Sequence, residues 1–234
     1  MVTWIVQTNV EPESTSRGLL RRACSELGLS FHAVSVVAGA STLPELSGIE
    51  GPAVFHGRNT LIRCALEHPV WKKAVFFPSE HFHHDAYVAG FGADLLNVDA
   101  WTLTFEELLT AGYAPSAALF VRPHDDSKRF TGQALRFSRC RELYEALGGE
   151  GRNVVVSGSM YRPSAERSVP KDLVEFAEAA TSRWIPAPVF VMDVARVQRA
   201  WKIVECNCFN GSRFYDADVS AIVHAVSDLQ ARIW

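Results

Sequence analysis

Short apolar runs rich in β-branched residues alternate, along this chain, with stretches whose apolar residues recur every three to four positions. "TWIVQTNV" reads as a first strand. Residues 16–27 follow with helical spacing, placing Leu19, Leu20, Ala23 and Leu27 on one face. "FHAVSVV" and "PAVFHG" read as strands, residues 61–66 as a helix and "KAVFF" as a further strand. Such a β-α-β-β-α-β succession buries its apolar faces as helices layered on a mostly parallel sheet, so the fold class is α/β, or α+β overall. A first domain is predicted over residues 1–103 and a second over 104–234, the boundary falling within 99–104. There Thr104 and, three residues on, Glu107 form a capping-box signature. The second domain reads as strand "AALFVRP", a helix over 139–147, strand "NVVVSG" and a helix over 170–183. Two strands, "PVFVMDVA" and "AWKIVECNC", and a last helix over 217–232 complete it.

Composition excludes several classes of partner. A formal net charge of −3 over 234 residues supplies no basic field for nucleic acid or an anionic membrane surface. No apolar run is long enough to span a bilayer, and "MVTWIVQTNVEPE" lacks the basic n-region of a signal peptide. Five cysteines, an odd number scattered apart from Cys206 and Cys208, argue against a disulfide framework and for a reducing cytoplasm. Oligomeric state is left open.

The chemistry concentrates in "KIVECNC". Side chains alternate along a strand, so Glu205 and Asn207 share one face and Cys206 and Cys208 the other. A turn within "ARVQRA" centred on Arg199 sets Asp193 opposite Glu205, with Cβ atoms ~5 Å apart. Two carboxylates so close repel unless a cation or a shared proton intervenes. With Asn207 beside them the donors are all oxygens, which suits Mg²⁺. The residues alone equally allow solvated polar positions on an open sheet face. One C-x-C offers two sulfurs where structural zinc takes four ligands, so Cys206 and Cys208 read as core residues. In "LFVRPHDDSKRFTG", Arg122 at a strand end and Lys128 in the following loop are a guanidinium fork and a point charge suited to a polyphosphate. "HFHHD" (His81, His83, His84, Asp85) reads as the opening of a helix with its histidines diverging, rather than as a metal site. "GGEG" at 148–151 reads as a turn, and neither G-x-x-x-x-G-K-[ST] nor G-x-G-x-x-G occurs.

Asp193 followed by E-x-N at Glu205 and Asn207 resembles the metal-binding core of the ATP-grasp superfamily. "FVRPHDDSKRFTG", "VSGSMYR", "VPKDLVEFA", "VFVMDVA" and "VECNCFNGSRFY" are similar, more narrowly, to a divergent ATP-grasp family of the clade named for an arginine and lysine pair, formerly a domain of unknown function. "GLSFHAVSV", "FHGRNTLIR" and "GADLLNVDAWTLTFEEL" extend the resemblance over most of the chain. It implies an ATP-grasp-like fold with an N-terminal α/β domain preceding it. It also implies a Mg²⁺-dependent ligase that uses ATP to join a carboxylate to an amine through an acylphosphate, on an amino acid or peptide. Carried over, Asp193, Glu205 and Asn207 hold Mg²⁺, and Arg122 and Lys128 contact the phosphates or acylphosphate. Asn210, Ser212 and Arg213 meet the carboxylate substrate, Arg213 also counting among the catalytic residues. Members of the family carry a longer interval between R-P…K-x-F-T-G and S-x-Y-R, including a strand with a Glu and an Arg. Here only "QALRFSRCRELYEALGGEGRN" stands there. The alternative is therefore an ATP-grasp module that binds nucleotide or peptide without turnover.

Overall fold

Three parallel strands organise the N-terminal part of the computed structural model, which describes residues 1–9, 16–124, 133–146, 153–157, 169–215 and 217–234. The elements there are β1 (Thr3–Gln7), α1 (Ser16–Glu26), β2 (Ser30–Val34), β3 (Ala53–His56) and α2 (Asn59–Glu67). The strand order is β2-β1-β3, with Thr3 in register with both Ser30 and Ala53. β3 is buried along its whole length, as a continuous apolar run in a parallel sheet requires. The α1 helix packs Leu20, Ala23 and Cys24 inward. It ends at Gly28, whose φ of +64° a side chain would resist, with Leu29 N–H closing on the Cys24 carbonyl at 2.8 Å. Ile5, Phe55, Leu61, Ile62 and Trp71 form the core of this layer.

"KAVFF" is not a strand. Residues Trp71–Ala74 form a 3₁₀ turn, and the backbone beyond it bonds to a side chain instead of a ladder. Asn210 Oδ1 accepts from Phe76 N–H at 2.7 Å, and Asn210 Nδ2 donates to the carbonyls of Phe55 and Ala74 at 2.7 and 3.4 Å.

Next along the chain come α3 (His84–Phe91), β4 (Trp101–Thr104), α4 (Phe105–Thr110), β5 (Ala118–Pro123), β6 (Gln133–Arg136), α5 (Cys140–Ala146), β7 (Asn153–Ser157) and α6 (Lys171–Arg183). The strands pair antiparallel in the order β4-β7-β5-β6. The capping box of α4 forms as its sequence predicts: Glu107 N–H donates to Thr104 Oγ1 at 3.1 Å and Thr104 N–H to Glu107 Oε2 at 2.7 Å. Phe105, Leu108, Leu119, Val121 and Cys140 build the core beneath this sheet. The edge strands β4 and β6 span four residues each, too few to show an alternation in sequence.

A two-stranded sheet of β8 (Phe190–Val197) and β9 (Ala200–Cys208) follows, then α7 (Val219–Ile233), capped by Asp218. By contacts the chain forms two units. One takes residues 1–77, 187–191 and 207–234; the other takes 78–186 and 192–206. The sequence-based cut at 103/104 is not the one the contacts follow, because the last helix returns to the unit that holds the N-terminus. Within that unit Trp4 Nε1 donates to Ser227 Oγ of α7 at 3.0 Å. Among the described residues no helix is long and apolar enough to cross a membrane.

All five cysteines are free and buried. Burial pushes the Cys24 thiol up to about 12 from an ordinary value of 9.0. The unfolded chain therefore loses this proton first. Stability associated with Cys24 is intact below pH 9 and drains away as pH rises toward 12. Native protein at pH 8 is expected to leave Cys24 unlabelled by a thiol reagent while urea-unfolded protein labels it at once. Rapid native labelling of Cys24, mapped by mass spectrometry, contradicts that burial.

Glycine at position 90 has a packing reason. A Cβ there would run into the indole of Trp184, whose ring also meets Phe91 edge-on with centroids 4.9 Å apart. Gly90→Ala is expected to cost ~1–3 kcal/mol by overpacking, read as a lowered urea midpoint. A midpoint equal to wild type would show that Trp184 moves aside freely.

Candidate active site

Arg122 is delivered by the end of β5, and both of its described partners come from other elements of the same unit. Its Nη1 lies 3.8 Å from Glu205 Oε2 on β9, with side-chain exposures of 9% and 33%. Its Nη2 donates to His84 Nδ1 at 3.3 Å. His84 opens α3 and is itself buried. Burial, and next the Arg122 guanidinium, push its imidazole down to about 4. The ring is thus neutral at pH 7, and its Nδ1 lone pair is free to accept from the arginine. β9 is held to the surrounding elements by Tyr87 Oη, which donates to the Cys206 carbonyl at 2.9 Å, and by Leu96 N–H, which donates to the Ile203 carbonyl at 2.7 Å. The arrangement is a cation buried against a half-exposed carboxylate. It is the local field expected where a charged ligand's phosphates and a cation are handled. Lys128 lies outside the described residues, as do 148–151.

The turn between β8 and β9 occupies Gln198 and Arg199, and Gln198 takes a φ of +57°. Its centre therefore falls between these residues, not on Arg199. In agreement, the Arg196 guanidinium sits over the Trp201 ring, 5.4 Å from its centroid. A regular ladder continued from this turn opposes Asp193 to Val204, so turn arithmetic does not by itself set Asp193 against Glu205. Asp193 is exposed. Cys206 and Cys208 are buried, as expected of core residues, but Asn207 is buried too, at 7% exposure. The strand is covered on both faces at that point.

Asn210, Ser212 and Arg213 separate into two roles. Asn210 is fully buried, and its amide is engaged by the backbone of residues 55, 74 and 76. That position stitches the fold and does not offer its amide to a ligand. Ser212 and Arg213 instead line a small cavity of about 50 Å³ with Gln7, Arg17, His56, Gly57 and Arg58. This cavity lies at the carboxyl ends of β1 and β3. In the order β2-β1-β3 the chain leaves β1 toward opposite sides, which marks the crevice where open α/β sheets bind ligands. Three arginines and the start of α1 make it receptive to an anion. The stretch "FHGRN", a strand ending in a basic residue, was the one local signal of this cavity. Arg17 could not be placed there without the fold.

"HFHHD" opens a helix, as read: His83 is the N-cap of α3, its Nδ1 accepting from Ala86 N–H at 3.3 Å.

The profile of one ATP-grasp domain family, family 3 of the clade named for its arginine and lysine pair, matches residues 48–226, well over half of the chain. No curated protein matches it in sequence. Among solved structures the fold is similar to that of the D-cycloserine synthetase DcsG, with a TM-score of 0.64 at 13% identity and 100% of both chains covered. It is also similar to the macrocyclase MdnC, solved bound with precursor peptide MdnA from Microcystis aeruginosa MRC. That TM-score is 0.52 at 10% identity, over 99% of this chain and 100% of the other. The fold is thus the mixed helix-and-strand ATP-grasp fold that the hairpin motif resembles.

Proposed function

Because this chain belongs to the ATP-grasp domains of the arginine-and-lysine clade, family 3, we propose that it is an ATP-dependent ligase that joins a carboxylate to an amine, acting in the cytoplasm on an amino acid or peptide. The observation that carries this reading is the Arg122–Glu205 pair, which joins the clade's arginine to the Glu of E-x-N. Asp193, Glu205 and Asn207 are the residues that would hold Mg²⁺. Their donors fit a hard cation: two carboxylates and a carboxamide, with Glu205 already drawn against positive charge. When bound, Mg²⁺ supplies neutralisation of the charge that develops on the transferred phosphoryl group.

Arg122 is positioned, by its neutral His84 partner and by burial, to present a fixed guanidinium to phosphate oxygens. Lys128 is assigned to the same phosphates by the family motif. Arg213, with Ser212, Arg17 and Arg58, is assigned to the carboxylate substrate, since their cavity favours an anion. A carboxylate oxygen of the substrate attacks the γ-phosphorus and ADP leaves. The amine then attacks the acyl carbon, and phosphate departs with one former carboxylate oxygen.

The test is an ADP-release screen over pairs of amino acids and short peptides, with mass spectrometry of the product. ADP release that needs both partners, together with a product equal to the two minus water, is the expected result. The shortened interval over residues 133–153 favours a second reading, a module that binds nucleotide or peptide without turnover. Saturable ATP binding with no ADP formed across the whole panel would select it.

A further inference from the structure

The end of β5 carries a second titratable cluster, distinct from the pair at Glu205. Three residues that belong to two elements of one unit converge there: His83 and Asp85 at the start of α3, and His124 just past β5. Their ligating atoms all lie within 4.8 Å of one another. His124 Nε2 is 3.4 Å from Asp85 Oδ2, and the His83 and His124 rings stack with centroids 5.3 Å apart and planes 23° apart. The scaffold beneath is tied down, because His84 N–H donates to the His124 carbonyl at 3.1 Å.

We propose that His83, Asp85 and His124 form a site for a divalent transition-metal ion of borderline hardness, such as Zn²⁺. Bonds of 2.0–2.1 Å to imidazole nitrogen and carboxylate oxygen put neighbouring donors ~3.4 Å apart in a tetrahedron. The His124–Asp85 separation matches this spacing, and the remaining spread closes by small side-chain rotations. Two imidazoles and one carboxylate make a three-ligand set, which leaves a coordination position for water or substrate. Outer-shell support is present as well. Thr102 Oγ1 donates to the second oxygen of Asp85 at 3.5 Å, at the long limit for such a bond, and orients the carboxylate. His83 gives up its cap on Ala86 to ligate. Either Nδ1 turns to the ion, or the proton moves onto Nδ1 so that Nε2 can bind.

A plain ion pair between His124 and Asp85 accounts for one contact of the three. It does not account for His83, which brings a second imidazole to the same carboxylate. Oxygen-donor Mg²⁺ sites rarely recruit two imidazoles, so this cluster and the Glu205 site select different ions. The proposal does not rest on the ligase reading and can fail separately from it.

The experiment is titration of the metal-free full-length chain with Co²⁺ as a spectroscopic probe and with Zn²⁺ in competition. One Co²⁺ per chain, with visible bands displaced by one equivalent of Zn²⁺, is expected. His124→Ala should weaken binding by more than the ~10–100-fold that loss of an outer-shell partner costs. Glu205→Gln should leave it unchanged. X-ray absorption on the wild-type Zn²⁺ form guards against a variant that misfolds, and should count two imidazole ligands. No stoichiometric binding, binding unaltered in His124→Ala, or a count without two imidazoles would each overturn the assignment.

Discussion

Replacing Asn210 with alanine is expected to lower the unfolding free energy by roughly 3–5 kcal/mol, since each buried backbone group left without a partner costs ~1–3 kcal/mol. Three such groups are involved. The Phe76 N–H loses its acceptor, and the carbonyls of Phe55 and Ala74 lose their donor. No water can replace the amide without opening the site, because Asn210 is fully buried. Asn210→Asp should do no better: it keeps the acceptor for Phe76 but places a carboxylate against two carbonyl oxygens. Urea unfolding followed by circular dichroism measures the effect. A cost near zero would return Asn210 to the substrate-facing role that the family motif suggests. A large cost with normal residual activity at low temperature would fix it as a stitch of the fold.

Glu205→Gln is expected to remove ATP turnover by at least ~100-fold, the scale on which preorganised charge partners act in phosphoryl and acyl transfer. The same change should cost only about 1 kcal/mol in stability, because the glutamine oxygen can still accept from Arg122 while solvent reaches the half-exposed side chain. The separation between the two effects matters. A residue that merely neutralises a buried arginine would lose stability and activity together. Asp193→Asn, at an exposed position, should lose activity with no measurable change in unfolding. Undiminished turnover in either variant removes that residue from the Mg²⁺ set.

Much of the fold was legible because the chain writes its elements in local terms. The helix of residues 16–26 shows its inward face as Leu20, Ala23 and Cys24, and the α4 cap declares itself through Thr104 and Glu107. "KAVFF" misled because it has strand composition, whereas its hydrogen bonds are set by a side chain 134 residues away, that of Asn210 on Phe76. The turn at Gln198 was misplaced by half a residue because glutamine, unlike glycine or asparagine, gives no sign of a positive φ.

The candidate site divides along the same line. Glu205 and Arg122 were singled out from their own strands, but their approach to 3.8 Å depends on tertiary structure. His84, which supports Arg122, was discounted with its neighbours, since a histidine run at a helix start carries no information about what packs on it. Arg17, His56 and Arg58 gather around Ser212 and Arg213 only through the parallel sheet order. The second histidine of the proposed transition-metal cluster, His124, sits 39 residues from Asp85 and resembles a loop residue until β5 is placed beside α3.

The central claim, ligation through an acylphosphate, is tested most directly with an oxygen-18-labelled carboxylate substrate taken from the ADP-release screen. The phosphate released should carry one labelled oxygen, transferred from the carboxylate when the amine displaces it. Phosphate free of label, or release of AMP and pyrophosphate in place of ADP, would contradict the account.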